Sequence, residues 1–332
     1  MSAVPEDPGP GDRPGDEHYR SLQSQREEQW SQQPPSYFRM PTVFGPMPGP
    51  RQTHFGEPHK PPPRYTTASI TFKSSRACLE TLLPPSSKSY SYQITSPGSD
   101  AYCTFSQTTL TNLAWLGGGN RGTYNHFGLY IHNVSCTVGS TAKTETGSFI
   151  PVLFENRTDP ILSGREELGM PKLFSYIETE RSPFDKSHLV FTKWGGEVWA
   201  EFELHNLVED AGQTQQTATD VPVDLLGGDG AMLFHRYIPK VGREFKGLAE
   251  VEYPVFVPGY GVEENQAATP RRTWNTRDAN VHFNPRDWEA FPTLHHIVSR
   301  LAEIPLLEMV SAKVVEGDGF GSPDLGNARR YG

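Results

Sequence analysis

From Tyr65 onward the chain keeps returning to a period of two. Residues 66–72 read TTASITF, β-branched and apolar at alternate places, which is the pattern of a strand with one face in a core. Similar runs recur at 102–110, 127–138, 189–192, 198–204, 232–238, 248–257 and 306–315. Helical character shows in two places. Residues 77–83 end at Pro84-Pro85, and residues 293–302 put Leu294, Ile297, Val298 and Leu301 on one face before Pro305. With no helix following each strand, a doubly wound parallel sheet is excluded. The expectation is an α+β, predominantly antiparallel fold: a large antiparallel or mixed β-barrel with flanking helices.

The start of the chain has a different character. Of 30 prolines, 14 precede Tyr65. Residues 1–35 are polar, charged and Gln-rich, too poor in apolar surface to offset the entropy of ordering. They are expected to form a disordered extension. Residues 36–64 carry Tyr37, Phe38, Met40, Val43 and Phe44 among prolines and read as an extended arm. The domain is placed at 65–316, with a polar exposed loop at 210–220 and a flexible Gly-rich tail at 317–332.

Charge and cysteine usage narrow the partners. A net charge of -9 argues against a broad nucleic-acid or anionic-membrane footprint. No apolar run reaches the roughly 18 residues of a spanning helix, and residues 1–20 lack the apolar segment of a secretory signal. Cys78, Cys103 and Cys136, without CxxC spacing, fit a reducing compartment rather than a disulfide scaffold or a Cys-rich zinc site. The expectation is a cytoplasmic protein with no nucleic-acid or membrane partner.

Several apparent motifs lose their meaning in context. The run 117–122, GGGNRG, matches GxGxxG but leads into a strand instead of opening a helix, so it reads as a flexible loop. His295 and His296 are sequence neighbours on a helix and point to different faces, a poor chelating pair. No metal site is expected. No GxSxG elbow is present.

One segment carries chemistry. Residues 164–172, GREELGMPK, deliver a single lysine, Lys172, between Met170 and the apolar flank of Leu173 and Phe174. A lysine in apolar surroundings loses ammonium hydration, and the neutral amine can condense with a carbonyl to an imine. The alternative is a lysine whose stem packs while its head reaches water.

GREELGMPK resembles the segment of the acetoacetate decarboxylase family that holds its Schiff-base lysine, and Lys172 falls on that lysine. Further pieces are similar in order: Ile70-Thr71-Phe72-Lys73 and the following "LLP", Met232 to Pro239, and Glu303 to Ser311. The likeness runs over about 40–315. It implies a conical, mostly antiparallel β-barrel, assembly into oligomers of one chain, a β-keto acid or related carbonyl substrate, and an imine mechanism with no cofactor.

Departures from the family pattern are chemical. The family's second lysine is Leu173 here, which leaves desolvation to activate Lys172. An adjacent cation is the other means of freeing a lysine amine, and acetoacetate decarboxylase is the known example of such activation. The family's early-strand basic residue corresponds to Lys73, its catalytic glutamate to His132, and a further glutamate to Ser106. Histidine at a glutamate position is a general acid/base near neutrality. It would favour aldol-type bond formation, dehydration or cyclisation over loss of CO2. A core histidine bonded to its surroundings is the other reading. Tyr130 is expected to line the substrate pocket or the core, and Arg165 with Glu166 to fix the turn that aims Lys172. Beyond decarboxylation and the other imine reactions, a non-catalytic barrel holding an apolar carbonyl ligand remains open.

Overall fold

Alternation decides which face each strand buries. In β1 (Arg64–Ser75), Ala68, Ile70 and Phe72 enter the main core, while Thr67, Ser69, Thr71 and Lys73 point the other way. The computed structural model describes residues 62–117, 122–139, 143–182, 184–210, 230–259, 269–319 and 328–331, with scattered positions between His18 and Gly49. After β1 come α1 (Arg76–Glu80), β2 (Tyr90–Ile94), β3 (Asp100–Thr111), β4 (Tyr124–Val138) and β5 (Lys143–Glu155). Then follow α2 (Thr158–Glu166), β6 (Lys172–Phe174), β7 (Tyr176–Ser182), β8 (Ser187–Trp194), β9 (Glu197–His205) and β10 (Val208–Glu209). The chain continues with β11 (Met232–Pro239), β12 (Ala249–Val257), β13 (Thr269–Thr276), β14 (Asp278–Phe283), α3 (His295–Ala302), β15 (Glu308–Asp318) and β16 (Arg329–Arg330).

Twelve strands make one sheet in the order β10-β13-β15-β1-β3-β4-β5-β11-β12-β16, with β2 on β4 and β6 on β5. Neighbours are antiparallel except β6 and β11, which run parallel to β5. The fold class is therefore the expected one, β-dominated and mostly antiparallel. Closure into a barrel is not seen among the described residues, where the order ends at β10 and β16. A second, four-stranded antiparallel sheet, β14-β9-β8-β7, contributes to the same main core as the large sheet. Phe127, Phe154, Trp199 and Phe283 interlock there with ring centroids 4.5 to 6.5 Å apart. Each large side chain buried this way contributes about 1.5–3 kcal/mol, and edge-to-face aromatic pairs add to it.

The strand expectations at 66–72, 102–110, 127–138 and 232–238 sit inside longer strands, and that at 248–257 matches β12 apart from Leu248. Two elements near Lys172 differ from expectation. Residues 164–166 form the last turn of helix α2, where an isolated turn was expected. Strand β5 went unread because Pro151 interrupts it; the proline sits where the β4–β5 register shifts, the kind of place a strand tolerates one. Most of the expected extension at 1–35 and of the arm at 36–64, the loop at 118–121, nearly all of 210–220 and much of the tail lie outside the described residues. Among the described residues, no helix is long and apolar enough to cross a membrane.

Candidate active site

The unit β5–α2–β6 is a parallel crossover, and it sets Lys172 in place. Helix α2 begins with Asp159 in its first turn, where an acidic group suits the helix dipole, and buries Pro160, Ser163 and Gly164. Beyond it Gly169 takes a φ of +71°, which favours glycine, and a Cβ there would lie 2.9 Å from Val255 Cγ2. The chain then reverses. Leu153 N–H donates to the carbonyl of Pro171 at 3.1 Å, Lys172 falls in register with Leu153, and Arg165 Nη1 donates to the carbonyl of Lys172 at 3.0 Å.

The lysine stem crosses the bare Cα of Gly164. A methyl group there would come within 2.4 Å of Lys172 Cδ and Cε. Lys172 Nζ donates to the carbonyl of Pro160 at 3.1 Å and pairs with Glu155 Oε1 at 2.7 Å. The two side chains are 7% and 1% exposed. Glu155 Oε2 has no hydrogen-bond partner among the described residues. Burial holds the Glu155 carboxyl above the usual carboxylate range, although Lys172 pulls it back.

His126 stands opposite Glu155 across β4 and β5. Burial, and then the charge of Lys172, push it down to about 3, so its ring is neutral at ordinary pH. Tyr124, on the same strand face, is pushed well up by burial and by Glu155. Buried Lys172, Glu155 and Tyr124 and half-buried His126 thus form one cluster: an amine, a carboxylate able to take its proton, a phenol and a neutral imidazole. Behind α2, Arg39 Nε pairs with Glu167 Oε1 at 3.1 Å with both side chains nearly sealed.

The expected site residues are distributed around this cluster. Ser106 shares the Lys172 face through the register Ser106–Gly128–Leu153–Lys172. Tyr130, two places on from Gly128, packs beside Leu153. Arg165 supports the backbone of Lys172. Glu166 gives its carbonyl to Arg236, and the buried Arg–carboxylate pair of this corner is Arg39–Glu167 instead. Lys73 is not brought to Lys172. It lies at an exposed rim, bonded to Glu308 at 2.7 Å, a pairing that raises it. His132 is four positions beyond Gly128, roughly 13 Å along the strand. Its two nitrogens bond Thr104 Oγ1 at 2.6 Å and Ser148 Oγ at 2.9 Å. The charge of Lys172 acts on His126.

Glu155 and His126 escaped the sequence reading. A carboxylate ending the apolar run 149–154 was a usable signal for the first, and the alternation Tyr124, His126, Gly128, Tyr130 for the second. A cavity of about 320 Å³ walled by Leu129, Val152, Leu173, Ile297 and Leu301 opens elsewhere. Strand alternation puts it on the opposite face from Lys172.

Comparison with known proteins follows the same line. The family model for acetoacetate decarboxylase matches residues 39–320. A structure described as acetoacetate decarboxylase superposes with a TM-score of 0.54 at 13% identity, covering 87% of this chain and 93% of the other. Acetoacetate decarboxylase from Legionella pneumophila subsp. pneumophila str. Philadelphia 1 gives 0.51 at 15%, covering 92% and 95%. The enduracididine biosynthesis enzyme MppR, complexed with the condensation product of pyruvate and imidazole 4-carboxaldehyde, gives 0.52 at 16%, covering 90% and 97%. No curated protein matches the sequence. These structural likenesses speak for the fold, and the family match spans most of the chain, including the crossover that seats Lys172: the chain belongs to the acetoacetate decarboxylase family.

Proposed function

We propose that this protein is an imine-forming lyase acting on a β-keto acid or related carbonyl compound, with Lys172 as nucleophile. The single observation that carries the reading is the buried amine of Lys172 held 2.7 Å from a buried carboxylate. Glu155 takes a proton from the ammonium, and the freed amine attacks the carbonyl carbon. Glu155 returns that proton to the alkoxide oxygen, then carries a second proton from the nitrogen to the resulting hydroxyl, so that water leaves and an iminium remains. In a β-keto acid the bond to the carboxylate then breaks, its electron pair moves into the iminium, and CO2 departs. The enamine is protonated at carbon, and hydrolysis releases the ketone and restores the amine. Neutral His126 can donate or accept a hydrogen bond beside the iminium without adding a second positive charge.

A second outcome of the same imine has support of its own. Lys73, the cation expected to meet the substrate carboxylate, is engaged at the rim by Glu308, and the family's second lysine is Leu173. MppR, of the same fold, is seen with a condensation product. An enamine that attacks an aldehyde, in place of CO2 loss, gives an aldolase or dehydratase from the same cluster.

Borohydride reduction in the presence of acetoacetate, pyruvate and other carbonyl compounds tests the common step. The expected result is a mass increment on the peptide carrying Lys172, with CO2 release measured alongside to separate the two outcomes. If no probe leaves an adduct at Lys172, the imine mechanism is wrong.

A further inference from the structure

Registers across six strands draw one unbroken line of residues on the face that bears Lys172. Lys172 on β6 stands beside Leu153 on β5, Leu153 opposite Gly128 on β4, and Gly128 opposite Ser106 on β3. Ser106 is opposite Ser69 on β1, and Ser69 is opposite Lys313 on β15. Residues in register share a face of the sheet.

Polar groups in the neighbouring rows satisfy one another. Thr67 and Thr108 share a hydrogen bond of 2.8 Å, and Thr71 and Thr104 one of 2.9 Å. The central line differs. The hydroxyls of Ser69 and Ser106 and the ammonium of Lys313 make no hydrogen bond or ion pair among the described residues. None of these three polar atoms is sealed from solvent either. Burial lowers Lys313, and no charge among the described residues offsets that. A half-buried cation with no anion among the described residues is suited to a ligand that supplies one.

We propose that Lys313, approached over Ser69 and Ser106, binds the anionic end of an elongated substrate whose reactive carbonyl is held at Lys172. The inference rests on the imine reading and adds the substrate class: an oxo acid with its carboxylate remote from the carbonyl. Five strand spacings of about 4.8 Å put an upper bound of roughly 24 Å between the two backbones. The stretch nearest Lys172 is apolar, since Leu153 lies across Gly128, where a Cβ would come within 2.4 Å of Leu153 Cδ2. The substrate therefore has a carbonyl, an apolar segment, and then a polar, anionic end. A carboxylate seated at Lys313 is not the one lost as CO2. Such a substrate either carries a second carboxylate beside its carbonyl or reacts through its imine without decarboxylation.

Calorimetric titration of the full chain with 9-oxodecanoate, its methyl ester and acetoacetate tests this. The wild type is expected to bind the long acid at least about tenfold more tightly than its ester, the scale of one charge-assisted contact. Lys313→Met should erase that preference and leave acetoacetate binding unchanged, while Lys313→Arg keeps part of it. Should Lys313→Met fold poorly, Ser69→Ala combined with Ser106→Ala should weaken the acid alone. An acid-to-ester ratio unchanged by these variants overturns the proposal, and so does equal loss of acetoacetate binding. Borohydride trapping on the same samples separates the two readings. A lost acid preference without an adduct at Lys172 keeps the anion site and removes the imine; an adduct at Lys172 without acid preference does the reverse. An adduct on Lys313 itself overturns its assignment as an anion site.

Discussion

Replacing Gly164 by alanine sets two effects of opposite sign against each other. On helix propensity alone, alanine inside α2 is favoured over glycine by about 1 kcal/mol. The new methyl, however, would stand 2.4 Å from Lys172 Cδ and Cε and 2.7 Å from Nζ. Carbon atoms rest about 3.5–4.0 Å apart, so the stem must retreat by more than about 1 Å. On its charged end stands Glu155, 1% exposed, leaving no slack. Breaking such a buried pair costs about 3–5 kcal/mol, so Gly164→Ala should lose about 2–4 kcal/mol net. For a domain of this size that lowers the melting temperature by roughly 4–16 °C. A reactive amine displaced by about 1 Å should also slow borohydride trapping about 100-fold. The decisive control is the same substitution in a Lys172→Ala background, where nothing remains to collide with. There alanine should stabilise by about 1 kcal/mol. If Gly164→Ala raises the melting temperature of the otherwise wild-type protein and leaves trapping intact, the account of how Lys172 is seated is refuted.

Three other outcomes are expected. Glu155→Gln should slow trapping by about 10²–10⁴-fold, the usual worth of a positioned acid/base. Because burial raises Glu155, the wild-type rate should climb with pH through a value above the ordinary carboxylate range; a glutamine variant that keeps that rising limb rules Glu155 out. His126 titrates near 3 when folded against an ordinary 6.5, so the unfolded chain takes up its proton first as pH falls. Its contribution is present at about pH 7.5 and loses about 2–3 kcal/mol by about pH 4.5. Urea titrations of wild type and His126→Gln at both pH values should show the variant less acid-labile, and equal acid sensitivity would count against the neutral ring. Lys73→Met should leave Lys172 trapping within about twofold, since an exposed ion pair contributes little at a distance; a tenfold loss would return Lys73 to the site.

What could be read from the sequence, and what could not, follows from how each residue does its work. Ala68, Ile70 and Phe72 announce β1 because one face of the strand is packed in the main core. Helix α2 gave no such signal. The residues it buries are Pro160, Ser163 and Gly164, small so that a lysine stem can lie against them, and an amphipathic pattern requires an apolar stripe. Lys172 was legible through its own segment. Glu155 and His126 were not, because 29 residues separate two side chains that meet only through the β4–β5 register, and a one-residue slip would turn one of them away. The alternating Thr and Ser of β1 and β3 were the most misleading. Polar residues at every second place ordinarily mean a wet face, yet Ser106 is 8% exposed and Thr108 6%. A sheet that buries hydroxyls on the side away from its apolar core is keeping them for something other than water. The lysines at the two ends of that line, one paired with a carboxylate and one with no anion among the described residues, suit a molecule with a carbonyl at one end and a negative charge at the other.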